Sequence, residues 1–165
     1  MSPVASRKRK SVDKSTEACF RLIYRSRSLL SSDPKLNRES LADLLRVSRI
    51  NNTEHGLTGA LVLYEYKQRF AQVLEGSEEA VMGLYEKIKV DRRHDNVQIH
   101  HADTVPVRLF SRWAMAMVLE HREPDMPLMA TADGLKEAAP WRVNAEQELV
   151  LNQLRDLTRG YGRSY

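Results

Sequence analysis

Apolar and polar positions alternate with a period of two over residues 19–25, which predicts a first strand with Phe20, Leu22 and Tyr24 on one face. Tyr24 falls at the end of that strand. Ser31-Ser32-Asp33-Pro34 reads as a turn or loop. The spacing then becomes helical over residues 38–50, with Asn37 as the cap and Leu41, Leu44, Leu45 and Ser48 along one side. Asn51-Asn52-Thr53 ends this helix. Strand patterns return at residues 57–64 and 69–74, and the polar residues 65–68 between them predict a hairpin. Gly76-Ser77-Glu78-Glu79 is a helix start, with Ser77 capping and two acids at the positive end of the dipole. Ala80, Val81, Leu84, Tyr85 and Ile88 form the apolar stripe of this second helix, and Asp91-Arg92-Arg93-His94 closes it.

Residues 97–102 and 113–119 read as two more strands joined by residues 104–112. Residues 124–140 read as loop, with room for a helical turn or two. A last helix spans residues 144–159, with Leu149, Val150, Leu154 and Leu157 on one face and Leu151 beside it. The order β-α-β-β-α-β-β predicts an α+β, ferredoxin-like sandwich with two helices on one sheet face and a C-terminal helical extension. That extension either covers the free sheet face or joins two subunits.

One position breaks the pattern. Gln72 shares the face of Phe70 and Leu74 in its strand, so an amide points into an apolar layer. An amide has donors and acceptors to satisfy, and leaving them unpaired costs about 1–3 kcal/mol. Gln72 is therefore either a core residue satisfied by backbone groups or one that meets a polar ligand edge.

Composition narrows the functional classes. The chain has 165 residues, enough for one domain with tails, and no apolar run long enough to cross a bilayer. Residues 1–14 carry basic side chains without an apolar segment behind them, which does not resemble a secretory signal. Cys19 is the single cysteine, which excludes an internal disulfide and fits a cytoplasmic protein. Arg7, Lys8, Arg9, Lys10 and Lys14 against Asp13 place the whole net charge of +4 in the first fourteen residues, so the remainder is neutral. The basic pI belongs to residues 1–17, which are expected to be a disordered leader or a tail that touches nucleic acid or anionic lipid, and the body carries no basic excess of the kind nucleic acid attracts.

Familiar catalytic patterns do not occur. His100 and His101 are adjacent, so on a strand their rings point to opposite faces and do not share a metal. There is no Gly-rich phosphate loop, nucleophile elbow or His-Glu-x-x-His sequence. What remains is a polar and aromatic set placed against the two helices: Tyr24, Asn51, Asn52, Gln72, Arg93 and His94. Each has a structural alternative, as core aromatic, helix cap, satisfied amide or solvated helix end.

Five stretches in order carry a family resemblance. They are Leu22-Ile23-Tyr24-Arg25-Ser26; Ser48-Arg49-Ile50-Asn51-Asn52 with Gly56-Leu57-Thr58-Gly59-Ala60-Leu61; Phe70-Ala71-Gln72-Val73-Leu74-Glu75-Gly76; Ile88 with Asp91-Arg92-Arg93-His94; and Arg108-Leu109-Phe110 with Trp113-Ala114-Met115. Over residues 19–119 the chain resembles the BLUF family of blue-light sensors that use FAD. The resemblance implies a flavin ring between the two helices, with Leu44 and Ile88 on its faces and Asn51 and Asn52 on its polar edge. Lys87, Asp91, Arg93 and His94 would line the ring and its entrance. Tyr24 and Gln72 would form the photoactive pair, with Ser48, Trp113 and Met115 around them. In the family's mechanism Tyr24 passes an electron and proton to the excited flavin, Gln72 changes its hydrogen bonds, and the last strand relays the change.

Two departures stand out: the hairpin at 65–68 lacks a turn glycine, and Arg112 precedes Trp113 where a smaller residue is common. The domain is expected over residues 18–122 and the extension over 123–165, which is too short for a cyclase or phosphodiesterase domain. No catalytic turnover is expected, and output would run through a downstream protein partner or a change in a homo-oligomer, without a membrane. The rival reading is a ferredoxin-like nucleic-acid-binding module, which the neutral body and low aromatic content oppose.

Overall fold

The computed structural model describes residues 18–64, 68–111, 115–119, 128–131, 134–137 and 144–159. Strand β1 (Cys19–Ser28) is the second strand of a five-stranded sheet ordered β4-β1-β3-β2-β5. It pairs antiparallel with β3 (Arg69–Gly76), which sets Tyr24 opposite Gln72. On its other side β1 pairs antiparallel with β4 (His94–Val105). Strand β2 (Thr58–Tyr64) lies antiparallel to β3, and the four-residue β5 (Ala116–Leu119) runs parallel to β2 at the edge. With β3 between β1 and β2, the arrangement is the expected ferredoxin-like α+β fold with one added strand. Because β1 runs on to Ser28, Tyr24 sits in mid-strand rather than at its end.

The alternation of side chains sorts two cores. Leu22, Tyr24, Leu61, Leu63, Phe70 and Leu74 face helices α1 (Pro34–Glu54) and α2 (Glu78–Lys89), whereas Ile23, Ala60, Val62, Ala71 and Val73 face the opposite way. Gly59 permits the close approach of β2 to β3, since a Cβ there would stand 2.0 Å from the Val73 carbonyl oxygen.

Helix α1 starts four residues earlier than the apolar pattern indicated. Asp33, not Asn37, is its cap: one carboxylate oxygen accepts from the Lys35 and Leu36 N–H groups at 2.9 and 3.0 Å. Pro34 takes the first helical position, where its missing N–H costs nothing. Ser-Ser-Asp-Pro is therefore a helix start rather than a loop, and Asn37 is buried in the first turn. At the other end Gly56 adopts φ +65°, the left-handed conformation that turns the chain into β2. Helix α2 begins as expected, with the Ser77 hydroxyl accepting from the Ala80 N–H at 3.2 Å.

Two expectations for the C-terminal part change. Strands β6 (Leu128–Thr131) and β7 (Gly134–Glu137) form an antiparallel hairpin where loop and a helical turn were expected. Helix α3 (Ala145–Arg159) covers the free face of the sheet, with Leu151, Leu154 and Leu157 buried against Ile23, Val62, Val73 and Phe110. Its buried stripe is Gln147, Leu151, Leu154, Leu157 and Thr158, while Leu149 is 72% exposed. Leu149 falls on the outer side of the helix because it is two residues from both Gln147 and Leu151, about half a turn.

The expected last strand, residues 113–119, begins at Ala116 in the described residues, and Trp113 lies outside them. So do Arg112, the basic leader 1–17 and the turn residues 65–67. Gln68, at the end of that turn, takes φ +51° without being glycine.

Candidate functional site

Helices α1 and α2 leave a cleft of about 260 Å³ between them, floored by the sheet. Its lining follows from two periods. Residues Leu44, Val47, Ser48, Asn51 and Asn52 recur at helical spacing along one side of α1, and Leu84, Lys87 and Ile88 do the same on α2. Tyr24, Leu61, Phe70 and Gln72 come from adjacent sheet positions, and Asp91, Arg93 and His94 come from the α2–β4 connection and the start of β4. All eleven residues expected to surround a ligand thus meet in one cavity. Val47, Leu61, Phe70 and Leu84 were not among the residues expected to line the site. The i, i+3, i+4 spacing from Leu44 and Ile88 would have found Val47 and Leu84, and strand pairing with Gln72 would have found Leu61.

At the floor, the buried Tyr24 hydroxyl donates to the Gln72 Oε1 atom. The other end of that amide, Nε2, donates to the sulfur of Met115 at 3.3 Å. Tyr24, Gln72 and Met115 are 3%, 6% and 2% exposed, so this chain of contacts is shut off from solvent. The amide is satisfied by two side chains rather than by backbone groups, and its orientation suits the donor character of a phenol. Burial pushes the Tyr24 hydroxyl well above the ordinary tyrosine range, with the Asp91 carboxylate and Tyr85 adding to the effect. The Tyr85 ring lies 5.9 Å from that of Tyr24, centre to centre, and the His94 ring 6.3 Å, edge on.

The rim is held by ion pairing and by one histidine. Arg93 grips Asp91 through Nε at 3.0 Å to both carboxylate oxygens and through a terminal nitrogen at 2.5 Å. This fork holds the Asp91 carboxyl below its usual range, against a smaller opposing effect of burial. The Ile88 carbonyl can only accept, so His94 Nε2, at 2.5 Å, carries a proton, and Nδ1 bonds the Ser26 hydroxyl at 2.8 Å. His94 thereby ties the end of α2 to β1.

The family model for sensors of blue-light using FAD, the BLUF family, matches residues 19–116. The chain belongs to the BLUF family. It is 28% identical over 126 residues to the photoactivated adenylate cyclase subunit beta of Euglena gracilis, and 35% identical over 95 residues to the alpha subunit. Those matches cover 76% and 58% of this chain but only 14% and 9% of the relatives' length. Among solved structures, the BLUF protein BlrB in its dark state is similar with a TM-score of 0.56 at 28% identity, covering 64% of this chain and 75% of that one. BlsA in its ground state gives 0.59 at 27% identity, covering 83% and 87%.

As a BLUF domain the chain has FAD as its cofactor, and the cleft suits the reactive ring. The ring is flat, with apolar faces and one polar edge; Leu44 and Val47 stand on one wall, Leu84 and Ile88 on the other, and the amides of Asn51, Asn52 and Gln72 supply donors and acceptors. Among the described residues there is this sensor domain with a short hairpin and α3, and no catalytic domain beside them. None of their helices is long and apolar enough to cross a membrane. With α3 over the free sheet face, the open aromatic platform of a base-stacking nucleic-acid module is missing there.

Proposed function

We propose that the chain is a blue-light switch in which Tyr24 and Gln72 form the photoactive pair and Met115 receives the change. The observation that carries this reading is the hydrogen-bonded series Tyr24–Gln72–Met115 on the floor of the cleft. Bound FAD supplies the blue absorption and an electron acceptor when excited. Leu44 and Ile88 hold the ring by its faces, Asn51 and Asn52 orient its polar edge, Ser48 lines the wall, and Lys87, Asp91, Arg93 and His94 guard the entrance.

Tyr24 is a neutral phenol in the dark, and it would give up an electron and its proton together to the bound flavin. While the proton is away, the Tyr24 oxygen can only accept, so the Gln72 Oε1 atom loses its donor. Rotation of the amide presents an N–H to that oxygen instead, and tautomerisation presents an O–H. When Tyr24 regains its electron and proton, Gln72 is left with a different set of contacts, which shifts the absorption to the red. Rotation also withdraws Nε2 from the Met115 sulfur, and tautomerisation removes one of its two protons. Met115 immediately precedes β5, so β5 and the segment after it are biased by light, a two-state element of the kind that couples a site to an output.

Residues 18–122 form the sensor, residues 1–17 a basic leader and residues 123–165 the output extension. Trp113, which the family resemblance puts around the pair together with Met115, lies outside the described residues. The protein works in the cytoplasm, where the single buried Cys19 stays reduced. It signals to a downstream protein partner or through its own homo-oligomer.

The test is optical. Purified protein should be yellow, shift to the red under blue light and recover in darkness. A colourless protein that cannot be reconstituted with FAD, or a flavin-bound one with no reversible shift, rejects the proposal.

A further inference from the structure

Arg49 follows Ser48 on α1 and reaches across to the start of the edge strand. Its Nε donates to the Met115 carbonyl oxygen at 3.0 Å, a contact between residues 66 apart in sequence. Met115 is therefore held twice: its sulfur by Gln72 and its backbone by α1. The next residue begins β5, which has four residues and a parallel pairing with β2 alone. Parallel pairing is slightly weaker per residue than antiparallel, and a four-residue edge strand has few ladder bonds. One charge-assisted bond at its leading end is consequently a large share of what fixes it. The Arg49 backbone is itself anchored, its carbonyl accepting from the Thr53 hydroxyl at 2.8 Å.

We propose that Arg49 is a positioning residue that clamps Met115 beside Gln72 and thereby sets how fast the light-induced arrangement decays. The inference rests on the reading of Gln72 as the switch and adds the element that controls its lifetime. With the clamp in place, the Met115 sulfur stays within reach while the Gln72 amide is turned away, and the returning Nε2 finds its acceptor. Without it, Met115 and the end of β5 drift, and the return must wait for them.

The experiment compares FAD-loaded wild type with Arg49→Gln, Arg49→Met and Arg49→Lys. It follows dark recovery of the absorbance and, in the dark, the methyl NMR signal of Met115. Arg49→Gln and Arg49→Met should recover about tenfold more slowly, in keeping with the loss of one hydrogen bond to a charged group. Their Met115 methyl signal should move or broaden, and Arg49→Lys, which keeps the charge, should restore part of the rate. A role confined to stability would lower the melting temperature and leave both readouts unchanged, and that result overturns the inference while wild type still shifts and recovers. Should the variants not fold, wild type without flavin carries the test: the Arg49 Nε–H should be protected from hydrogen exchange, and rapid exchange overturns the clamp. A wild type that binds FAD without any reversible shift would instead overturn the underlying switch.

Discussion

Tyr24 and Gln72 are cross-strand partners in the β1–β3 pairing, and the hydroxyl of one donates to the amide oxygen of the other inside the sheet's helix-side core. Register and side-chain alternation bring them together. The ligand cleft lies directly above, so a change in either residue's hydrogen bonding is felt at the ligand and in the core at once.

Removing either half of the pair should separate binding from response. Tyr24→Phe and Gln72→Leu keep the aliphatic walls and the Asn51 and Asn52 amides, so flavin should stay bound. The reversible red shift should disappear in both. Tyr24→Phe should also cost about 1 kcal/mol of stability, because Gln72 Oε1 loses its donor. Absorbance under illumination and urea denaturation of the flavin-loaded proteins check the two parts. A full reversible shift in either variant would remove that residue from the photoactive pair.

The raised Tyr24 affinity for its proton has a consequence at high pH. At about pH 10, where an exposed tyrosine is half-ionised, Tyr24 should still be a phenol and the photoresponse should persist. In the unfolded chain the same residue ionises normally. The folded state therefore holds the extra proton, and the stability from this group is fully present below about pH 10 and falls as pH rises beyond it. Tyrosinate absorbance during a pH titration, read beside the melting temperature, checks both statements. Ionisation of all six tyrosines at ordinary pH without unfolding would contradict them.

Glu75 offers a test of how the β4–β5 connection is fastened. Its carboxylate is wholly buried, pairs with Arg21 at 2.7 Å, and accepts from the Leu109 and Phe110 N–H groups at 3.2 and 2.8 Å. On the other side of that connection, Gln147 of α3 donates to the Leu109 carbonyl at 2.8 Å and shares a reciprocal cap with Asn144. Glu75→Ala should destabilise the protein by about 3–5 kcal/mol, since it strands a mostly buried cation and two N–H groups. Gln147→Ala should cost about 1–3 kcal/mol through the unpaired Leu109 carbonyl and the lost cap. Denaturant midpoints measure both; losses below 0.5 kcal/mol would mean that the connection is held by packing alone.

The strands and helices nearest the cleft were legible because each has a strong period and clear punctuation. Ser77 and the acids after it announced α2, and the odd amide at Gln72 stood out while leaving open a satisfied core residue or a ligand edge. Asn51 and Asn52 illustrate the limit: as residue types they fit a helix end, and only the fold brings them into one cleft with Gln72. The start of α1 was misplaced because Ser-Ser-Asp-Pro satisfies both a turn and a capped helix, and the first turn of α1 carries little apolar pattern to decide between them. Contacts such as Arg49 to Met115 or Arg21 to Glu75 join residues more than fifty positions apart. No local period encodes them.

The misread face of α3 gives the last prediction. Five apolar residues crowd the helix at 149, 150, 151, 154 and 157, so two overlapping stripes are possible from the sequence alone. One contains Leu149, the other Gln147 and Thr158. The second is buried because Gln147 finds the Leu109 carbonyl and the Thr158 hydroxyl donates to the Arg155 carbonyl at 2.7 Å, so two polar residues enter the core without loss. Leu151→Ala should therefore cost about 2–5 kcal/mol, the usual range for a fully buried leucine, whereas Leu149→Ala should stay within about 0.5 kcal/mol. If urea denaturation gave the larger loss to Leu149, α3 would have to be rotated by about half a turn. Gln147 would then leave the β4–β5 connection, and the link between that connection and the C-terminal helix would go with it.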